Sequence, residues 1–127
     1  MFLAFSCYKN FEAYQMDAKS AFLNGKLEEE VYIEQSGGFL LLENGVYVYE
    51  LKKALYGLKQ APRAWFLRLD KYLEKQGYKR GATDSNLYIK IEDKNIIIVV
   101  VYVDDLIFGS NLQILSVKFA SKMKKEF

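Results

Sequence analysis

The sequence predicts an α+β domain with an antiparallel sheet and helices packed on one face. Short β-branched and aromatic runs alternate with turn residues, two stretches repeat apolar residues at helical spacing, and hairpins outnumber crossovers. A length of 127 residues fits one small domain, and a hydrophobic content of 51% with 27% charged residues supplies a single core. The chain has no repeats, low-complexity tracts or linkers, so we expect one domain over residues 1–127.

Strands are predicted where β-branched and aromatic residues cluster. These segments are 11–18, 31–33, 46–49, 86–91, 95–103 and 106–108, and turn residues at 36–38, 43–45 and 92–94 separate several of them. The continuous Ile/Val run at 96–101 indicates a strand covered on both faces. We expect 96–103 and 106–109 to pair as an antiparallel hairpin around Asp104-Asp105.

Two amphipathic helices complete the predicted fold. Pro62 opens the first, since proline suits a first helical turn, and Gly77 follows its last turn. Apolar residues share one face of each helix. They are Trp65, Leu69, Tyr72 and Leu73 in the first helix, and Leu112, Leu115, Phe119 and Met123 in the second. Residues 20–24 predict a turn or short helix that Gly25 closes.

The composition excludes several kinds of chemistry. The chain has no histidine and one cysteine, which removes Ser-His-Asp and Cys-His catalysis, Cys/His zinc clusters and an internal disulfide. Carboxylates, lysines, tyrosines or a bound ion must therefore supply any reactivity. The longest apolar run, 96–103, is too short to span a membrane, and the first residues lack signal-peptide features. We expect an intracellular protein without a membrane partner.

The charge is unevenly distributed along the chain. Residues 1–50 carry 3 basic and 8 acidic side chains, residues 51–80 carry 9 and 2, and residues 81–127 carry 6 of each. The basic middle segment could dock a polyanion such as nucleic acid, but a solvated helix face accounts for the same charges.

Three aspartates stand out in apolar surroundings. Asp104-Asp105 interrupts an apolar strand, and two adjacent carboxylates repel unless a cation neutralises them. An ordinary polar turn accounts for this pair equally well, because Asp is common in turns. Asp17 ends another strand that an antiparallel sheet could bring beside this hairpin. Three carboxylates on neighbouring strand ends suit Mg²⁺ and two-metal phosphoryl transfer.

Three blocks of the chain match known sequence motifs. The segment 102–105, Tyr-Val-Asp-Asp, resembles the Y-x-D-D signature of reverse transcriptases. Residues 15–25, QMDAKSAFLNG, and 51–65, LKKALYGLKQAPRAW, resemble two blocks of the copia-type retrotransposon reverse transcriptases, and all three occur in that family's order. The resemblance covers residues 3–127 and implies a polymerase palm with a ferredoxin-like core.

The resemblance also implies the roles of individual residues. The family's catalytic metal ligands fall on Asp17, Asp104 and Asp105, which would hold two Mg²⁺ ions, with Mn²⁺ as a substitute. Phe22 matches a ring that excludes a 2′-hydroxyl, although the ring by itself would suit a core. Ser20, Ala21, Tyr56 and Gly57 also match the family's nucleotide pocket. Lys59 and Arg63 match residues that contact the nucleic-acid backbone, although a solvated surface would account for these two side chains equally well.

By this resemblance we expect an RNA-directed DNA polymerase that uses an RNA or DNA template with a primer and deoxynucleoside triphosphates. The family's polymerase domain begins before residue 1 and continues past Phe127, so we expect fingers and thumb to be missing or partial. The rest of a Pol polyprotein, including ribonuclease H, would be a partner, in cytoplasmic virus-like particles or the nucleus. The alternatives are a truncated, non-catalytic remnant that at most binds nucleic acid, and a metal-dependent nuclease or phosphatase.

Overall fold

A computed structural model describes residues 2–35 and 47–127 of the chain. Within these ranges the helices are α1 (Phe2–Tyr8), α2 (Ala61–Lys75) and α3 (Gln113–Glu126), with a short 3₁₀ helix at Ala21–Asn24. The strands are β1 (Glu12–Asp17), β2 (Tyr32–Glu34), β3 (Val48–Glu50), β4 (Lys79–Arg80), β5 (Leu87–Glu92), β6 (Asn95–Tyr102) and β7 (Asp105–Ser110).

All strand pairs in the described residues are antiparallel. Five strands form one sheet in the order β1-β7-β6-β5-β4, while β2 and β3 form a separate two-stranded sheet. Consecutive strands β5, β6 and β7 are joined by tight hairpins, as the alternation of strand and turn residues predicts. The α+β class with an antiparallel sheet is therefore confirmed.

The chain divides into two compact units. The five-stranded unit contains the residues up to Ala21 and residues 69–127, and the second unit contains residues 22–68. Helix α2 begins in the second unit and ends in the five-stranded unit. The single palm domain over residues 1–127 stays a prediction.

Helix α3 and the last part of α2, both in the five-stranded unit, pack on one face of the sheet. Tyr88, Val99 and Phe108 lie in one cross-strand row and are buried. At one end of this row the Tyr88 hydroxyl donates to Oδ1 of Asp70 in α2 at 2.5 Å, and at the other the Phe108 ring meets the Phe119 ring of α3, with centroids 4.7 Å apart. Burial and the contact with Asp70 raise the pKa of Tyr88, so the hydroxyl keeps its proton and holds β5 to α2.

The opposite face of this sheet is only partly covered, which corrects one expectation. In β6 the side chains of Ile97, Ile98, Val99 and Val101 are buried, but Ile96 and Val100 are half-buried and Tyr102 is 72% exposed. The apolar run of β6 is therefore not covered on both faces along its length. Long helices cover one face, and the first residue of α1, Phe2, lies beside Gly109 on the other.

The second unit is built around three small buried residues. Ala54, Ala61 and Ala64 form its core, with the larger side chains of Phe22, Leu27 and Leu58 packed against them. Small side chains allow the backbone segments to approach closely. At Gly25 an added Cβ would lie 2.7 Å from the backbone nitrogen of Trp65 and 2.8 Å from the carbonyl carbon of Ala64. The loop that follows the 3₁₀ helix is therefore held against the first turns of α2.

Most predicted elements are confirmed, and their ends move by a few residues. Helix α2 contains Pro62 in its first turn, and Gly77 adopts a positive φ of 85° after its last turn. Leu112, expected on the apolar face of the last helix, precedes that helix and is 41% exposed. The predicted turns at 36–38 and 43–45 lie outside the described residues. Helix α1 and strand β4 were not predicted. No helix within 2–35 and 47–127 has the length and apolar character to cross a membrane.

Candidate active site

The backbone brings the three predicted metal ligands to one end of the five-stranded sheet. Asp17, the last residue of β1, lies directly opposite Asp105, the first residue of β7. The backbone N–H of Ala18 donates to the carbonyl oxygen of Asp104 at 3.0 Å, which continues the ladder into the turn. This pattern makes Asp17 and Asp105 a non-hydrogen-bonded pair, the type in which facing side chains come closest. Two residues separated by 88 positions are thus cross-strand neighbours.

The hairpin turn lies one residue earlier than the sequence predicts. Tyr102 pairs with Asp105, so the two turn residues are Val103 and Asp104, and Asp105 belongs to β7. The prediction that both aspartates occupy the turn is therefore wrong for Asp105. Val103 has a φ of 58°, a left-handed conformation that is costly for a β-branched residue. Such strain, of about 1–3 kcal/mol, is concentrated at functional sites.

The three carboxylates differ in their surroundings. Asp17 and Asp104 are exposed, while Asp105 is half-buried and accepts a hydrogen bond on Oδ1 from Nε2 of Gln15 at 3.0 Å. Like charges directly opposite each other on a sheet repel and destabilise the pair. The facing charges of Asp17 and Asp105 therefore favour any cation that binds between them.

The donor chemistry of these residues fits a hard divalent cation, since all three side chains offer carboxylate oxygens. Among residues 2–35 and 47–127, however, no three Asp, Glu, His or Cys side chains are grouped closely enough to hold a metal ion. The backbone register thus places the three aspartates at one end of the sheet, but their side chains do not form a group that could hold a metal ion.

Two of the residues matched to the nucleotide pocket lie just beyond β1. Ser20 is exposed and has a φ of 53°, and Ala21 is buried at the start of the 3₁₀ helix. The left-handed conformation at Ser20 turns the chain sharply between the end of β1 and this helix. That the backbone N–H groups of Ser20 and Ala21 face the triphosphate stays a prediction.

Three other residues matched to the nucleotide pocket lie in the second unit, and two of them are in contact. The rings of Phe22 and Tyr56 are in contact, with centroids 5.5 Å apart and planes at 57°. Tyr56 is 62% exposed, whereas Phe22 is half-buried against the alanine cluster. Gly57 has a φ of 90°, which side-chain-bearing residues rarely adopt. Phe22 therefore has both a core contact and an exposed aromatic neighbour.

The two predicted nucleic-acid contacts, Lys59 and Arg63, line a groove of about 310 Å³ in the second unit. Both side chains are exposed, and Lys26 lines the same groove together with Glu28 and Glu29. The groove thus combines three cationic and two acidic side chains. Lysine and arginine side chains are the groups that contact a phosphate backbone, the sequence-independent part of nucleic-acid binding, whereas the two glutamates would oppose such a contact.

Sequence reasoning missed Gln15, which contacts Asp105 across 90 positions of sequence. Glutamine in a strand carries no local signal of function. The alternation of side chains does place Gln15 on the same face as Asp17, and only the pairing of β1 with β7 adds Asp105 to that face.

The family model for reverse transcriptase (RNA-dependent DNA polymerase) matches residues 1–127. The chain is 38% identical over 126 residues to the Retrovirus-related Pol polyprotein from transposon TNT 1-94 of Nicotiana tabacum, covering 98% of this chain and 10% of that protein. It is 43% identical over 97 residues to the corresponding polyprotein from transposon RE1 of Arabidopsis thaliana, covering 76% of this chain and 7% of that protein.

A putative transposon Ty5-1 protein of Saccharomyces cerevisiae is 37% identical over 111 residues, covering 87% of this chain and 35% of that protein. The chain thus spans a tenth or less of the two plant polyproteins and about a third of the yeast protein. No solved structure matches it significantly. The family model matches the full length of the chain, and the chain is similar to transposon Pol polyproteins. This chain therefore belongs to the reverse transcriptase family, the RNA-directed DNA polymerases of retrotransposons.

Proposed function

We propose that the chain is the catalytic palm, with a ferredoxin-like core, of a copia-type retrotransposon reverse transcriptase. In this proposal it adds deoxynucleotides to the 3′-hydroxyl of a primer on an RNA or DNA template. The observation that carries the proposal is the placement of Asp17 opposite Asp105 in the β1–β7 register, with Asp104 in the adjoining turn. Membership of the reverse transcriptase family supports the same chemistry.

In the proposed site Asp17 and Asp104 would hold two Mg²⁺ ions, which Mn²⁺ could replace, and Asp105 would support the site. When bound, such a pair of ions activates the attacking hydroxyl and stabilises the leaving pyrophosphate. The chain's own contribution is to hold negative charge at the end of the sheet. The pairing of β1 and β6 with β7, and the hydrogen bond from the Ala18 N–H to the Asp104 carbonyl oxygen, hold the backbone that carries these charges.

Substrate contacts are proposed separately for residues of each unit. The backbone of Ser20 and Ala21 would face the triphosphate, and Gly57 would allow close approach of the nucleotide. Phe22, beside Tyr56, would exclude a 2′-hydroxyl from the sugar position. The groove that Lys59 and Arg63 line would contact the template or primer backbone.

The test is primer extension by a chimera. The 127 residues replace the matching 126 residues of the TNT 1-94 polyprotein, and synthesis is measured with a poly-rA template, oligo-dT primer, dTTP and Mg²⁺. We expect the chimera to extend the primer. The 127-residue chain alone should show little extension, because alignment of a triphosphate with a primer can lower the barrier by about 7–11 kcal/mol and needs further parts of the polymerase. A correctly folded chimera with no synthesis would contradict the proposed activity.

Phe22→Ala in the chimera should admit ribonucleotides while preserving use of dTTP. The proposed role of the ring is steric, so its removal makes room for a 2′-hydroxyl without removing a contact to the reacting atoms. We expect incorporation of rUTP relative to dTTP to rise at least about tenfold, equal to about 1.4 kcal/mol of lost discrimination. The measurement is the ratio of kcat/KM for the two nucleotides.

Leu27→Ala is the matched control for Phe22→Ala. Leu27 packs against the same alanine cluster but is not an aromatic neighbour of Tyr56. Its truncation should loosen the second unit without changing the ratio of rUTP to dTTP incorporation. An equal rise of the rUTP-to-dTTP incorporation ratio in both variants would show that Phe22 only fills the core.

A further inference from the structure

The side chain of Gln15 makes a direct hydrogen bond to one of the proposed catalytic carboxylates. Its Nε2 donates to Oδ1 of Asp105 at 3.0 Å. The register pairs Gln15 with Ile107 and Asp17 with Asp105, so this bond runs diagonally between neighbouring strands. Alternation along β1 puts Gln15 and Asp17 on the same face of the sheet. The two neighbours of the Asp105 side chain on β1 are therefore polar: Asp17 is anionic, and Gln15 is a neutral hydrogen-bond donor.

The contact has two physical consequences for Asp105. A hydrogen bond to one carboxylate oxygen restricts rotation of the side chain, which is half-buried and begins β7. The amide also stabilises negative charge on Asp105 although Asp17 lies directly opposite. A lysine at position 15 would do this by cancelling the charge. The neutral amide leaves the full negative charge of the pair available to a cation.

We propose that Gln15 is a positioning residue that holds the Asp105 carboxylate in place for divalent-cation binding at the end of the sheet. This inference rests on the proposed function of the three aspartates. Carboxylates that bind metals are commonly held by hydrogen bonds from neighbouring side chains, and loss of such a partner typically weakens metal affinity about 10–100-fold. Gln15 acts through Asp105 and touches neither substrate nor ion.

The experiment measures Mn²⁺ binding to the 127-residue chain by electron paramagnetic resonance, so that it does not depend on polymerase activity. Gln15→Leu keeps most of the side-chain volume and removes the donor, and Gln15→Asn keeps an amide but withdraws it from Asp105. Both variants should weaken Mn²⁺ binding about tenfold or more. Full affinity in Gln15→Asn would overturn the proposal, because an amide that cannot reach Asp105 would then suffice.

A double-mutant cycle tests whether Gln15 acts through Asp105. In an Asp105→Asn background, Gln15→Leu should cause no further loss of Mn²⁺ affinity. An undiminished loss in that background would overturn the proposal. Gln113→Leu is the control, since Gln113 also reaches β1 but donates to Glu12 and Tyr14 at the other end of the strand. It should bind Mn²⁺ as the parent chain does, and a loss equal to that of Gln15→Leu would also count against a specific role.

Two further measurements separate the possible failures. Thermal unfolding in EDTA should give similar midpoints for the parent, Gln15→Asn and Gln15→Leu, because Gln15 is exposed; a large common drop would indicate a structural role instead. Asp104→Asn should weaken Mn²⁺ binding in the same assay. If Asp104→Asn weakens binding and the Gln15 variants do not, the positioning role alone fails. If the parent chain and Asp104→Asn bind equally or not at all, the metal site fails and the positioning role fails with it.

Discussion

Asp104→Asn in the TNT 1-94 chimera is expected to abolish DNA synthesis. Asn keeps the shape of the side chain and removes the charge that would hold the cations. Loss of a single electrostatic contact to reacting groups commonly costs about 100–1,000-fold in rate, or about 2.7–4 kcal/mol, and a ligand shared by two ions should lie at or above this range. The measurement is kcat for dTTP addition on poly-rA with oligo-dT, with Mg²⁺ and again with Mn²⁺. Synthesis at the parental rate would remove Asp104 from the site.

Asp93→Asn is the control for this loss. Asp93 occupies the turn between β5 and β6, is exposed, and has a φ of 56°, which Asn accepts readily. The substitution thus repeats the same chemical change in a neighbouring hairpin turn of the same sheet. It should leave synthesis unchanged. Asp104 is also exposed. Neither variant should therefore change the free energy of unfolding by more than a surface substitution does, about 0.5 kcal/mol.

Local sequence patterns account for most of the sheet and for α2. The β-branched runs that form β5, β6 and β7 are separated by short polar turns, so each hairpin is determined by neighbouring residues. Helix α1 escaped prediction because its seven residues, FLAFSCY, are too few to show a helical period and contain no acidic residue in the first turn. Strand β4 has two residues and exists through its pairing with β5. Neither element has a signal of its own in the sequence.

The turn at Val103 explains the one-residue error in the hairpin. Sequence reasoning assigns turns to Asp, Asn and Gly, and on that basis Asp104 and Asp105 are the natural turn residues. The structure uses Val103 at a φ of 58°, the least favourable kind of residue for that conformation. The register of β6 with β7 and of β1 with β7 forces this choice, since it pairs Asp105 with both Tyr102 and Asp17. Tertiary pairing here overrides a local preference.

The site residues are predictable to different depths. The motif resemblance names Asp17, Asp104 and Asp105, and the backbone register brings all three to one end of the sheet. Their side-chain arrangement does not follow from the motif, because rotamers depend on neighbours such as Gln15 that are distant in sequence. The contact of Phe22 with Tyr56 is of the same kind, since it joins two blocks that each match the family separately. The sequence thus identifies the candidate site residues, and long-range packing determines which side chains they contact.

Gly25→Ala is expected to lower the free energy of unfolding by about 1–3 kcal/mol, the usual cost of overpacking a core. An added Cβ would lie 2.7 Å from the backbone nitrogen of Trp65 and 2.8 Å from the carbonyl carbon of Ala64. These are backbone atoms of α2, which cannot rotate away as a flexible side chain can. The loop would have to move as a whole, and it also carries the carbonyl oxygen that accepts a hydrogen bond from the N–H of Ala54 at 2.9 Å.

Trp65 reports this change directly, because it is the chain's one tryptophan, is 1% exposed and contacts Gly25 through its backbone. Urea unfolding followed by its fluorescence should show a lower midpoint with an unchanged slope. Two variants separate the possible causes. Gly57→Ala meets no atom within 4 Å but has a φ of 90°, so it should cost about 1–2 kcal/mol through backbone conformation alone. Lys26→Ala, an exposed substitution next to Gly25, should change the free energy by no more than about 0.5 kcal/mol. A Gly25→Ala midpoint equal to the parent's would mean that the loop and α2 do not approach as closely as these distances require.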